Sequence, residues 1–230
     1  MLDHTAGLFI TGTDTDVGKT YVGSLVARFL AAQGRKVGVY KPVASGCRRD
    51  DDRLISDDAV ALWEAAGRPG DLEHVCPQRF EAPLAPHLAA EAEGKKLDAD
   101  LLGRGLEFWQ PRSEIILVEG VGGLMSPLGE KIYVADLAKR FGFPLVVVSR
   151  NALGTINQTL QTLIAAAAYG GGLPVAGVVL NHPMAPSADD LSLPLNRREL
   201  AAHCTRPILA EVGWNADRFD AAVDWFSLAR

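Results

Sequence analysis

Only three of the 230 residues are cysteine, and Cys47, Cys76 and Cys204 are far apart, odd in number and without a C-x-x-C pair. That excludes a disulfide framework or a thiolate zinc site and points to reduced thiols in a cytoplasmic protein. The five histidines (His4, His74, His87, His182, His203) show no ligand spacing with one another or with cysteine. Positive charge is not in excess. Against 28 Asp and Glu stand 23 Lys and Arg, a net charge of −5, so there is no basic footprint for nucleic acid. The most apolar stretch, Leu160 to Ala168, is too short to span a bilayer and contains Gln161. The amino terminus shows no basic-then-apolar leader pattern, since Asp3 and His4 precede a strand. A soluble protein without membrane or nucleic-acid partners is expected.

What is present is a core-forming chain, 48% hydrophobic, read here as a single domain over residues 1–230. Strand-like runs occur at Leu8–Thr11, Val37–Tyr40, Ile115–Val118, Leu145–Val148, Val175–Leu180 and Ile208–Val212. Helical spacing falls between most of them, at Thr20–Gln33, Asp58–Ala66, Val134–Phe141, Thr155–Tyr169 and Asn196–His203. Ile115-Ile116-Leu117-Val118 and Leu145-Val146-Val147-Val148 are apolar on both faces. A strand covered by helices on both sides requires that, so an α/β fold with a mostly parallel sheet is expected. Arg68–Leu97 and Asn181–Leu195, both rich in proline, resist assignment, and the charged stretch Arg48–Arg53 reads as a solvated loop.

Between the first strand and the first helix stands Gly12-Thr13-Asp14-Thr15-Asp16-Val17-Gly18-Lys19-Thr20. Loop amides and the positive end of a helix dipole make such a turn a cradle for phosphate. Lys19 would reach the outer phosphates and the Thr20 hydroxyl would sit on Mg²⁺. Five residues separate Gly12 from Gly18, where the usual P-loop has four. An ordinary glycine turn would not explain Lys-Thr directly after Gly18.

In such sheets ligands gather at the carboxyl ends of strands. Lys41, at one such end, could meet a γ-phosphate or simply be solvated. Ser56-Asp57-Asp58 suits a helix cap, and a carboxylate there could also complete a Mg²⁺ shell. Glu119 follows an apolar strand and precedes Gly120-Val121-Gly122-Gly123, the Walker-B arrangement that sets a carboxylate beside the loop's metal. Thr155 and Gln158 make a capping box, while the same helix start, with Gly154 and Asn157, offers amides to a substrate carboxylate. Asn181 carries the donor and acceptor needed to read an adenine edge, or is a common loop residue. Glu211 is equally open.

Together these segments resemble the dethiobiotin synthetase family, the ATP-dependent cyclo-ligases of biotin synthesis. The matching pieces are Gly12 to Thr20 with its five-residue spacing, Tyr40-Lys41-Pro42-Val43-Ala44-Ser45-Gly46, Pro86-His87, Val118 to Gly123 and Gly154-Thr155-Ile156-Asn157. Leu180-Asn181 and Ala210-Glu211-Val212 match more weakly. Lys41 to Gly46 is the most specific piece, because generic P-loop proteins have no reason to carry it. The resemblance implies a P-loop NTPase-type sheet flanked by helices on both faces, ATP as co-substrate, Mg²⁺, and a homodimer with the substrate site at its interface. The implied substrates are 7,8-diaminopelargonate and CO₂.

By the same resemblance, Lys19 and Lys41 neutralise developing charge, and Thr15 and Ser45 orient carbamate and diamine. Thr20, Asp58 and Glu119 hold the metal. Asp16, Val17, Gly18, Lys19, Thr20, Tyr21, Glu119, Gly122, Asn181 and Glu211 surround the nucleotide. Ser45, Gly154, Thr155 and Asn157 bind substrate, the last three from the partner subunit. Asp16 stands where many members carry Glu, Val121 replaces a smaller alanine, and Asp57 competes with Asp58 for the metal. The rival reading is a partition or septum-positioning switch ATPase. Such proteins carry a second lysine early in the loop, where this chain has Thr13 or Asp14, and their basic carboxyl-terminal helix is absent from Ala216–Arg230.

Overall fold

The computed structural model of the chain describes residues 5–187 and 189–230, so the leader reading at Asp3 and His4 lies outside the described residues. Six parallel strands form one sheet: β1 (Ala6–Gly12), β2 (Val37–Tyr40), β3 (Ile115–Gly123), β4 (Leu145–Arg150), β5 (Val175–Asn181) and β6 (Ile208–Val212). Their order across the sheet is β6-β5-β4-β1-β3-β2. The inner strands β1, β3 and β4 have successive residues with almost no exposure, from Leu8 to Ile10, Ile115 to Val118 and Leu145 to Val148. Burial of both alternating sets is what helices on both faces produce.

The main helices are α1 (Lys19–Ala32), α2 (Asp57–Ala65), α3 (Pro86–Ala92), α4 (Val134–Phe141), α5 (Thr155–Ala168) and α6 (Leu193–His203). In α1 the buried set Val22, Leu25, Val26 and Leu30 recurs at helical spacing and seats the helix on the sheet. Among the described residues no helix is long and apolar enough to cross a membrane. All three cysteines are free, and burial pushes the Cys76 thiol up to about 12.

Periodicity placed every central strand, but several run further than expected. β3 continues through Glu119 to Gly123, so Glu119 is a strand residue and not the first residue after one. Arg48–Arg53 is not a loop. Arg48–Asp50 and Arg53–Ile55 pair as an antiparallel hairpin, with Arg48 ion-paired to Asp57 at 2.9 Å. The unassigned stretch Arg68–Leu97 holds a single-turn helix at Leu72–Val75, the two-residue strand Gln78–Arg79 beside Val43–Ala44, and α3. These pieces are too short for either period to register in sequence. In Asn181–Leu195, α6 begins at Leu193, three residues before the expected start, with proline in its first turn.

The carboxyl terminus closes the core. Trp225 is 1% exposed, Gly7 N donates to Ala229 O at 3.0 Å, and the Arg35 guanidinium lies 3.9 Å from the centroid of the Phe226 ring. Trp225→Ala is expected to lower stability by about 3–5 kcal/mol in urea unfolding, because it leaves a large cavity in the core beside Phe219.

Candidate active site

The turn after β1 is shaped by two residues with left-handed backbone, Asp16 at φ 57° and Gly18 at φ 89°. A side chain at Gly18 would be strained by that φ, and its Cβ would come within 2.0 Å of Asn181 Nδ2. Gly18 also precedes α1 without a side-chain cap, and the first turn of α1 carries no acidic residue. The helix amides and positive dipole end therefore remain open to an anion. Thr15 N donates to Asp14 Oδ1 at 2.8 Å, and Lys19 Nζ folds back to donate to Asp14 O at 3.0 Å. Burial lowers the pKa of Lys19, partly offset by the charge of Glu119. An ammonium in that state gains from an incoming phosphate.

Next to this cradle four elements meet in one charged cluster. Lys41, at the end of β2 and 3% exposed, places Nζ 2.5 Å from Glu119 Oε1 and 2.8 Å from Asp58 Oδ2. The Thr20 hydroxyl donates to the same Glu119 Oε1 at 2.8 Å. Burial alone would discharge Lys41, but the carboxylates of Glu119 and Asp58 outweigh it and hold its pKa above the ordinary lysine value. Burial likewise opposes charge on Asp58, yet the Lys41 ammonium keeps its carboxyl below the usual range. Ser56 caps α2 through Ala59 N, Asp57 turns outward to Arg48, and Asp58 turns inward to Lys41. The cap is therefore Ser56, not Asp57.

Thr20, Asp58 and Glu119 together offer the hard oxygen donors that Mg²⁺ favours. Glu119 Oε2 is buried with no hydrogen-bond partner among the described residues, so one acceptor is uncommitted. Among the described residues no group of three or more His, Cys, Asp or Glu could hold a metal alone. One hydroxyl and two carboxylates, completed by phosphate and water, fit Mg²⁺ better than a metal that needs an all-protein cage.

The segment from Lys41 to Gly46 is held by the part of the chain that sequence periodicity could not assign. Lys41 N donates to Val75 O at 2.8 Å and Gly46 N to Ala82 O at 3.1 Å, with Val43–Ala44 paired to Gln78–Arg79 between them. Ser45 is half-buried on this segment. Gly122, at φ 64°, sits where an added Cβ would be 3.7 Å from Thr15 Oγ1, so the glycine turn ending β3 lies against the nucleotide loop.

Asn181 ends β5 fully buried. Its Nδ2 donates to Val17 O at 2.9 Å, and its Oδ1 has no partner among the described residues. It therefore props the nucleotide loop from below. Tyr21 is anchored by its hydroxyl to Ala216 O at 2.6 Å. Glu211 on β6 is engaged by His182 at 2.6 Å and Asn151 at 2.9 Å, away from the charged cluster. The expected capping box at α5 does not form. Gly154, at φ 97°, is the cap residue and no side chain caps the helix. Thr155 instead turns inward to Ser149, because the buried hydroxyl finds its partner there. Gly154 and Asn157 stay exposed at an open helix start. Sequence reasoning passed over Ser149, Asn151 and His182. The one signal for Ser149 is a polar residue closing an otherwise apolar run.

The family model described as "AAA domain" matches residues 6–220. The ATP-dependent dethiobiotin synthetase BioD of Rhodopirellula baltica is 41% identical over 215 residues, covering 89% of this chain and 82% of that protein. The one from Anaeromyxobacter dehalogenans is 41% identical over 211 residues, covering 92% and 91%. That of Thermodesulfovibrio yellowstonii is 38% identical over 202 residues, covering 85% and 83%. Among solved structures, a ParA family ATPase from Chlorobium tepidum is similar with a TM-score of 0.54 at 14% identity, over 91% of this chain and 83% of that one. Chloroplast FtsY from Physcomitrella patens gives 0.55 at 15% identity over 99% of this chain, which spans 65% of that chain. These structural likenesses speak to the fold alone.

The charged cluster makes its own prediction. Lys41→Met leaves Glu119 buried without its cation and is expected to cost about 3–5 kcal/mol in urea unfolding. Adding Glu119→Gln should recover most of that loss. Equal stability of wild type and Lys41→Met would mean the pair is not buried as described.

Proposed function

The chain belongs to the ATP-dependent dethiobiotin synthetases, and from that premise we propose how its site makes dethiobiotin from 7,8-diaminopelargonate, CO₂ and ATP. The observation that carries the reading is the meeting of Lys19, Thr20, Lys41, Asp58 and Glu119 at one phosphate cradle. One substrate amine adds to CO₂ and releases a proton, giving a carbamate. A carbamate oxygen attacks the γ-phosphorus, the bond to ADP breaks, and a carbamic-phosphoric anhydride forms. The second amine then attacks the anhydride carbonyl, closes the five-membered urea ring and expels phosphate. The attack is intramolecular, so no protein nucleophile is required.

The protein's part is to hold the groups and to neutralise charge on oxygens as it develops. Lys19, whose charged form burial disfavours, takes the outer phosphates. Lys41 stays protonated and serves the carbamate and γ-phosphate. Thr15, on the Gly12–Thr20 loop, and Ser45, on the Lys41–Gly46 segment, orient carbamate and diamine. Mg²⁺, when bound, neutralises the β- and γ-phosphate oxygens. Thr20, Asp58 and Glu119 would hold it. Asp16 to Tyr21 and Gly122 line the phosphates, while Asn181 and Glu211 lie at the neighbouring strand ends where the adenine would rest.

The working unit is a homodimer, a cytoplasmic one, of single-domain chains. Its support is the α5 start, where Leu153 is 84% exposed beside the open amides, with Ile164 67% exposed further along the helix. A second copy covering this face would bring its substrate carboxylate to Gly154, Thr155 and Asn157.

Purified protein with 7,8-diaminopelargonate, bicarbonate, Mg²⁺ and ATP is expected to yield dethiobiotin by mass spectrometry, and omission of any one component to abolish it. ATP hydrolysis without product would overturn the reading. In sedimentation the chain should run at twice its 24.6 kDa mass. Leu153→Asp should shift it toward the monomer and raise KM for the diamine.

A further inference from the structure

Ser149 itself has no part in either the nucleotide or the substrate reading. It is the penultimate residue of β4 and is 0% exposed. Its hydroxyl meets three others. Thr155 Oγ1 lies 2.8 Å away, Thr159 Oγ1 donates to it across 2.8 Å, and Thr13 Oγ1 approaches to 3.5 Å. Thr13 belongs to the nucleotide loop, and its amide donates to Val148 O at 2.9 Å. Thr155 and Thr159 lie one turn apart on α5 and are equally buried.

A serine hydroxyl has one proton and two lone pairs. Thr159 donates into one lone pair, Ser149 and Thr155 share a hydrogen bond, and Thr13 stands at the outer edge of hydrogen-bond reach. A buried hydrogen-bonded network favours one arrangement of its members over others. At α5 it adds to the bonds that Asn196 makes to Asn151 and Ala152 just ahead of the helix, which itself starts at a left-handed glycine with no side-chain cap.

We infer that Ser149 is a positioning residue that locks the α5 amino terminus to the nucleotide loop. It thereby sets the direction in which the helix-start amides meet the substrate carboxylate. The inference rests on the assignment of that carboxylate to the α5 start. In the dimer the same serine aligns a subunit's own ATP cradle with the anchor it offers its partner.

The test crosses an enzyme variant with a substrate truncation. Wild type and Ser149→Ala are each assayed with 7,8-diaminopelargonate and with 2,3-diaminononane, the same chain with a methyl in place of the carboxylate. Wild type is expected to favour the carboxylated substrate in kcat/KM, and Ser149→Ala to cut that preference at least about tenfold, as sub-ångström misplacement of an anchor does. The loss should fall on KM for diaminopelargonate more than on kcat, with 2,3-diaminononane little affected. Thr159→Val keeps side-chain shape and removes one hydroxyl. It should show the same pattern more weakly, and it carries the test if Ser149→Ala does not fold. A folded variant that keeps the wild-type preference, or loses equally on both substrates, overturns the role of Ser149. A wild type indifferent to the carboxylate overturns the assignment of the α5 start itself, and this inference with it.

Discussion

The contact between Lys41 and Glu119 is the one on which the rest of this site depends. Two opposite charges sit out of water 2.5 Å apart, 3% and 1% exposed. Desolvating each ion costs several kcal/mol, so neither is tolerable without the other. Asp58 reaches the same ammonium and Thr20 the same carboxylate. One charge cluster thus ties the end of β2, the middle of β3, and the first turns of α1 and α2. Displacing β2 or β3 would strand a buried charge.

Burial and neighbouring charge shift the two lysines in opposite directions. The pKa of Lys41 is raised above its ordinary value, so its stabilisation is complete below the usual lysine range and is lost as pH climbs through the folded value. Lys19 is pushed the other way by burial, which disfavours its charged form. A phosphate beside the ammonium would relieve that penalty. Around the cluster a second set of contacts fixes the loops. Val75–Ala82 supports Lys41 to Gly46, the Arg48–Ile55 hairpin holds Asp57 aside, and Asn181 supports Val17.

How much of this was legible follows from what carries the information. The strands β1, β3 and β4 read clearly because they are apolar on both faces, and the Gly12–Thr20 turn read clearly because lysine and threonine directly after glycine have little purpose without phosphate. The stretch Arg68–Leu97 did not read, because its helices and strand run from two to seven residues, too short for a period to register, and its strand forms only by pairing with Val43–Ala44. The capping box at Thr155 misread for a related reason. The spacing to Gln158 is right, but a buried serine on β4 competes for the threonine hydroxyl and wins.

By itself the sequence determined the parallel sheet, the phosphate cradle and the family, since each depends on local pattern or on residues close together along the chain. The tertiary structure alone decided that Asp58 and not Asp57 faces Lys41, that Glu119 keeps one oxygen uncommitted, and that Ser149 joins the nucleotide loop to α5. Those relations connect residues separated by 17, 78 or 136 positions. Their energies come from burial and mutual hydrogen bonding, which exist only after the sheet has brought the strand ends together.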